Sequence, residues 1–211
     1  MPVRKVVTRR SSHSRGLVPT LKNKRPAEWE SQLEMQLLRL LELSPLVASY
    51  EVQPTREALV VDGKSSWYFP DALAKYRDGT EAFYEVKMAS ALRIARVAAR
   101  MKAAKVHFAE THRVFGIVTD EWLLAEPRRT NVQRLMYHRR DPLSPIEQFR
   151  FRSALSAASP RTVGELINAL GAPDAWRLLG LGVVGVDLER PLDSTAAIYL
   201  EGGHRHANLC A

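Results

Sequence analysis

Two carboxylates and a lysine constrain this chain more than any other feature. The segment Tyr68-Phe69-Pro70-Asp71 is followed, with thirteen residues between Asp71 and Glu85, by Glu85-Val86-Lys87. Residues 72 to 76 and 81 to 86 read as strands, and Arg77-Asp78-Gly79 suits a three-residue hairpin loop with Gly79 in the left-handed position. That register sets Tyr76 opposite Thr80 and, counting outward, Asp71 opposite Glu85. Side chains alternate across a strand, so Glu85 and Lys87 share a face with Asp71 while Val86 points the other way. A two-residue Asp-Gly turn would instead pair Asp71 with Val86 and separate the carboxylates by face unless a bulge intervened. A converged cluster of this kind suits phosphodiester hydrolysis, which needs a divalent cation on hard oxygen ligands, an activated water and a positive charge near the attacked phosphate. The competing expectation is an exposed hairpin with a cross-strand charge pair, because short motifs recur by chance.

Upstream, Trp29, Leu33, Leu37 and Leu40 recur at helical spacing, which predicts a helix over 29–43 with one buried stripe. Glu34 lies beside that stripe, and Glu30 one turn earlier. A carboxylate on this helix can reach over the sheet edge towards a metal; both are equally ordinary solvated helix glutamates.

Five segments occur in one order: Glu30-Ser31-Gln32-Leu33-Glu34, Ser44-Pro45, Tyr50-Glu51-Val52-Gln53-Pro54, Tyr68-Phe69-Pro70-Asp71 and Tyr84-Glu85-Val86-Lys87. Together, over residues 27–140, they resemble the TnsA-like endonuclease subunits of heteromeric bacterial transposases. The resemblance implies an α/β fold of the PD-(D/E)xK superfamily, with a restriction-endonuclease-like mixed central sheet flanked by helices. It implies Glu34, rather than Glu30, as catalytic glutamate, Asp71 as catalytic aspartate and Lys87 as catalytic lysine. Glu85 matches a position where many relatives carry a metal ligand. Mg²⁺, with Mn²⁺ able to substitute, would be held by Asp71, Glu85, the Val86 carbonyl and Glu34. The implied activity is that of a metal-dependent endodeoxyribonuclease cleaving one strand of double-stranded DNA at transposon ends during cut-and-paste transposition. Implied partners are a separate integrase-type transposase subunit and an AAA+ ATPase regulator, since the chain carries no nucleotide-binding phosphate loop of its own. A stand-alone restriction or repair endonuclease would use the same residues, and a catalytically retired DNA-binding assembly subunit would keep the fold alone. Gln53-Pro54 reads first as a strand end fixed by proline and second as a group lining the site.

Charge agrees with a nucleic-acid partner. The chain has 31 Lys and Arg against 23 Asp and Glu, and Arg4, Lys5, Arg9, Arg10, Arg15, Lys22, Lys24 and Arg25 all precede the first acid, Glu28. The formal excess of +8 therefore resides in an N-terminal arm expected to be polar and mobile, giving salt-sensitive, sequence-independent affinity for phosphates. Residues 89–109 lack proline and glycine and predict one long helix, with Arg93, Arg96 and Arg100 on one face, along a DNA backbone or in solvent. Residues 113–119 read as a buried strand, completing a β-α-β crossover. Asp120 and Glu121 match an acidic position of the family and receive no catalytic role. A second basic group, Arg128, Arg129, Arg134, His138, Arg139 and Arg140, could clamp DNA or cover an acidic neighbour.

Cys210 is the sole cysteine, so no disulfide forms within the chain. No apolar run approaches the ~20 residues of a membrane helix, and the basic start lacks a secretory apolar stretch, so a bacterial cytoplasmic, nucleoid-associated placement is expected without membrane contact. The histidines lack cysteine partners, which argues against a zinc module. The domains expected are a flexible basic arm over 1–26, a nuclease domain over 27–142, and a small C-terminal module over 143–211. Prolines 142 and 145 mark the second boundary. In the C-terminal module Thr162 and Glu165 predict a capped helix ending at Gly171, Pro173 starts another through Leu179, and 182–188 reads as a strand. Two helices and a strand suit a winged-helix-like or partner-docking domain.

Overall fold

A computed structural model describes residues 15–209. Arg9 and Arg10 of the basic arm, and Cys210, lie outside the described residues. The chain divides into two units, Met1–Glu42 with Leu46–Ala125 and Leu209–Ala211, and Leu43–Pro45 with Glu126–Asn208. The boundary thus falls at Ala125 and Glu126, not near residue 142.

The first unit begins with a small antiparallel pair, β1 (Gly16–Val18) and β2 (Ala27–Trp29). Part of the arm expected to be mobile is therefore folded. Gly16 is required there: a Cβ would come within 2.6 Å of the Trp29 ring. Lys22 Nζ donates to the Leu41 carbonyl at 2.7 Å, and the buried Glu42 carboxylate accepts from Thr20 Oγ1, the Leu21 N–H and Tyr50 Oη. Helix α1 (Gln32–Leu43) follows. Its start is later than residue 29 because Ser31 caps it: Ser31 Oγ accepts from the Glu34 N–H at 3.2 Å, and the first helical bond runs from Met35 N to Ser31 O. Ser-x-x-Glu is a capping sequence, and Trp29 accordingly stays on a strand.

Next come β3 (Val47–Val52), β4 (Glu57–Val61), β5 (Lys64–Tyr68), β6 (Ala72–Tyr76) and β7 (Glu81–Lys87). They are followed by α2 (Ala89–Leu92), α3 (Ala95–Glu110), β8 (Val114–Thr119) and the short α4 (Asp120–Leu123). The central sheet has the order β3-β6-β7-β8, antiparallel except for the parallel pair β7-β8, and is flanked by helices, so the expected mixed α/β architecture holds. Strands β4 and β5 form a separate hairpin whose turn residues Asp62 and Gly63 both have positive φ. Leu73 and Phe83, paired across β6 and β7, face α3 and form a core with Leu59, Tyr68, Met101, Ala104 and Phe108. Phe108 stacks on Phe115 at 4.8 Å and tilts against Phe83 at 4.8 Å, so truncating Phe108 to Ala should cost about 3 to 5 kcal/mol.

The helix expected over 89–109 is two helices. Ile94 is extended, and Arg93 caps α2 instead of joining the face of Arg96 and Arg100. No proline or glycine causes the break. Leu92 and Val97 both pack on the core, and five residues apart on one unbroken helix they would point about 140° away from each other. Tertiary packing of both overrides helix propensity.

The second unit contains α5 (Arg128–His138), α6 (Pro145–Ala158), α7 (Val163–Leu170), α8 (Ala172–Leu181) and a two-residue antiparallel pair, β9 (Gly185–Val186) with β10 (Ile198–Tyr199). The Thr162 cap on α7 and the Gly171 stop are as expected, with the Glu165 N–H donating to Thr162 Oγ1 at 3.2 Å. Helix α6 is additional to the expected elements. Ser144 and Glu147 form a full capping box around Pro145 at the first helical position, so the prolines open a helix inside the unit instead of separating domains. The strand expected over 182–188 is reduced to Gly185–Val186. Much of the second basic group is engaged within the unit. Arg128 pairs with Glu189, Arg134 donates to the Leu192 carbonyl at 2.8 Å, and Arg139 donates to the Gly180 carbonyl at 3.1 Å. Among the described residues no helix is long and apolar enough to cross a membrane.

Candidate active site

The β6-β7 loop sets the site. Tyr76 N donates to Thr80 O at 2.8 Å, Gly79 N donates to Tyr76 O at 3.1 Å, and Gly79 has φ +87°. Asp78 Oδ1 accepts from the Thr80 N–H and hydroxyl, closing the loop. The resulting register runs Lys75↔Glu81, Leu73↔Phe83 and Ala72↔Tyr84, so the three-residue loop is the observed one. The next rung on the core face sets Asp71 opposite Glu85. The hydrophobic pair Leu73-Phe83 thus continues directly into the acidic pair, and Lys87 follows on the same face.

Each group has named partners. Asp71 Oδ2 accepts from the Val86 N–H at 2.7 Å. Glu85 is only 4% exposed; its Oε2 accepts from Tyr68 Oη at 2.7 Å, and its Oε1 accepts from Lys87 Nζ. Lys87 Nζ also lies 3.3 Å from the Val86 carbonyl. Burial, then the charge of Glu85, push the Asp71 carboxyl well above the usual carboxylate range; Lys87 opposes this and Glu34 adds to it. Burial alone would lower the Lys87 ammonium, but Glu85, Asp71 and Glu34 hold it above its ordinary value. Burial, followed by the charge of Glu85, likewise raises the Tyr68 hydroxyl far beyond its usual range, so it stays a donor to Glu85. Tyr68 thus holds the Glu85 carboxylate in place, a contact that its place in the Tyr68-Phe69-Pro70-Asp71 segment does not reveal.

Glu34 and Glu30 both line the cleft, and they differ in surroundings. Glu34 Oε1 accepts from Ser31 Oγ at 3.0 Å and Oε2 from the Glu30 N–H at 2.8 Å. Burial raises the Glu34 carboxyl, with smaller contributions from the charges of Glu30 and Glu85. Glu30 pairs with Arg15 at 3.0 Å and accepts from Gln53 Nε2 at 3.4 Å. The cleft, about 530 Å³, gathers Glu34, Gln53, Tyr68, Asp71, Glu85 and Lys87 with Arg96 and Arg100 on its α3 side. Arg100 is fixed there by donating to the Trp67 carbonyl at 2.7 Å. Arg93 is not among its lining residues. Of the arm cations within the described residues, Lys24 and Arg25 are exposed, whereas Arg15 and Lys22 make the contacts given above. Asp120, given no role from sequence, accepts from the Ala89 N–H through Oδ1 at 2.6 Å and so ties the end of β8 to the chain just beyond Lys87.

Among the described residues, no three His, Cys, Asp or Glu side chains stand ready to hold a metal ion. The donors nevertheless fit a hard cation. Asp71, Glu85 and the Val86 carbonyl offer oxygens, burial and neighbouring charge hold the Asp71 carboxyl well above its usual range, and the Lys87 ammonium covers Glu85 Oε1 and the Val86 carbonyl as a cation would.

A mixed sheet thus carries two carboxylates and an ammonium, Asp71, Glu85 and Lys87, on one face above its hydrophobic core. Residues 44–120 match the family model described as TnsA-like endonuclease N terminal, so this part of the chain is similar to a TnsA-like endonuclease domain. The match covers rather more than a third of the 211 residues; it contains Asp71, Glu85 and Lys87 and leaves Glu34 outside. No curated protein matches the chain.

Proposed function

We propose that the chain is a metal-dependent DNA endonuclease that cleaves one strand at transposon ends, acting with a separate integrase-type transposase subunit and under an AAA+ ATPase regulator. The convergence of Asp71, Glu85 and Lys87 within the TnsA-like domain carries this proposal. Asp71, Glu85, the Val86 carbonyl and Glu34 would hold Mg²⁺, or Mn²⁺ in its place. The ion would supply Lewis-acid stabilisation of the phosphate and lower the pKa of a bound water. Tyr68 fixes the Glu85 carboxylate through its hydroxyl. Lys87, already charged and beside Glu85, would orient the attacking water or offset the negative charge that grows on the phosphate. Arg96 and Arg100 line the cleft where a DNA backbone would run, and the basic residues ahead of Glu28 would add salt-sensitive affinity. The second unit, with its helices and the β9-β10 pair, would serve as a winged-helix-like DNA-binding or partner-docking module. The proposed setting is the bacterial cytoplasm, at the nucleoid.

The test is strand-specific nicking of transposon-end DNA by the purified chain with Mg²⁺, alone and with an integrase-type transposase subunit. Nicking that requires the partner supports the proposal. Equal cleavage without it would favour a stand-alone endonuclease, and no cleavage with the partner present would leave a DNA-binding assembly subunit.

A further inference from the structure

Gln53 stands out once the active-site partners are assigned. It directly follows β3 with φ +44°, a left-handed conformation uncommon for a non-glycine residue. Its N–H donates to the Asp71 carbonyl at 3.0 Å, so counting the β3-β6 register one step past Val52↔Ala72 sets Gln53 opposite Asp71. Gln53, Asp71 and Glu85 therefore occupy one rung across three adjacent strands. The residue is 5% exposed, yet its Oε1 has no hydrogen-bond partner. The amide orientation is chemically determined: Nε2 faces Glu30 Oε2 at 3.4 Å, and a flipped amide would set two acceptors against each other. A buried carbonyl oxygen at the wall of an acidic cleft, with no donor to satisfy it, lacks a positive partner.

We propose that the Gln53 side-chain carbonyl belongs to the coordination shell of the divalent cation, directly or through a cation-bound water. This rests on the nuclease function proposed above. An amide oxygen is a hard, neutral donor, so it adds a ligand without adding to the crowding of Asp71, Glu85 and Glu34. The strained backbone is then the local cost of holding that oxygen on the Asp71 rung.

Titration calorimetry of Mn²⁺ into the full chain, with thermal unfolding in chelator, tests this on the parent protein, Gln53→Gly, Gln53→Glu and Asp71→Asn. Glycine accepts φ +44°, so Gln53→Gly should unfold near the parent's temperature yet bind Mn²⁺ about tenfold or more weakly. Gln53→Glu keeps an oxygen at the same reach and sets a second one against Glu30; it should bind Mn²⁺ more tightly than the parent and be less stable in chelator. Parent-like Mn²⁺ affinity in Gln53→Gly, with binding lost in Asp71→Asn, overturns the role of Gln53 and leaves the nuclease function standing. A parent chain that binds no Mn²⁺ overturns both. Should Gln53→Gly fail to fold, Gln53→Glu decides alone, and unchanged or weaker binding there overturns the proposal.

Discussion

Glu57 and Asp71 are carboxylates of the same unit, and their surroundings do opposite things to them. Glu57 receives both terminal nitrogens of Arg113, at 2.7 and 2.9 Å, with His107 Nε2 at 2.8 Å and the Thr55 hydroxyl at 2.9 Å. The Arg113 hydrogen bonds, which outweigh burial, bring its carboxyl down to about 2. Asp71 receives the Val86 N–H and is hemmed in by Glu85 and Glu34, so burial and like charge drive its carboxyl up. The first cluster is electrostatically complete and stabilises the fold. The second is short of positive charge, a shortage that the proposed divalent cation would meet.

The comparison breaks first at Asp71. Asp71→Asn should abolish nicking while leaving far-UV circular dichroism unchanged. Because the folded carboxyl titrates above its unfolded value, the parent's stability should fall as pH rises from about 4 through the raised pKa. The Asn variant should lack that fall, and thermal melts across pH measure it.

Glu34→Gln should cost several orders of magnitude in nicking rate, and Glu30→Gln little. A reversed order in single-turnover assays would move the functional carboxylate one helical turn, to the group that pairs with Arg15.

Lys87→Ala should slow cleavage about a hundred- to thousandfold, the usual effect of removing one donor aimed at a developing oxyanion. The substitution also uncovers Glu85 Oε1 and the Val86 carbonyl, so Mn²⁺ binding should persist or tighten. Absence of metal binding would instead indicate a collapsed hairpin.

Removing residues 1–14 takes away Arg4, Lys5, Arg9 and Arg10 without cutting into β1. Affinity for DNA should drop and its salt slope flatten, by about 0.9 for each phosphate that is no longer neutralised. An unchanged slope would assign those residues to another role.

The smallest effect sharpens the contrast from the other side. Glu57→Gln should leave nicking unchanged and reduce stability at neutral pH by about 2 kcal/mol. That difference is fully present above about pH 4.3, the unfolded value, and is lost as pH falls through about 2, where the parent's own carboxylate takes up its proton. Urea unfolding at several pH values measures it.

The β6-β7 register is legible in the sequence because loop length and side-chain alternation constrain each other: three residues with glycine last allow only the rung that pairs Asp71 with Glu85. The β4-β5 hairpin is equally legible, since Asp62-Gly63 between alternating residues is a strong turn signal, although it is missing from the expected elements. Ser31-x-x-Glu34 and Ser144-Pro145-x-Glu147 mark the starts of α1 and α6 in the same way. The break at Ile94 is not legible, because it follows from where two side chains must pack and not from local propensity. Nor are the roles of Tyr68 and Gln53, which lie in partners and burial that only the folded chain has.

Asp120 gives the site a mechanical character. Thr119, the residue before it, is the β8 register partner of Lys87, and the Asp120 carboxylate holds the Ala89 N–H two residues past that lysine. The main chain is thus pinned on both sides of position 87, and the freedom left there is the four-carbon stem. In the proposed nuclease Lys87 would be a swing arm on a fixed post, its charge passing from Glu85 to an incoming phosphate while the strand beneath it stays still.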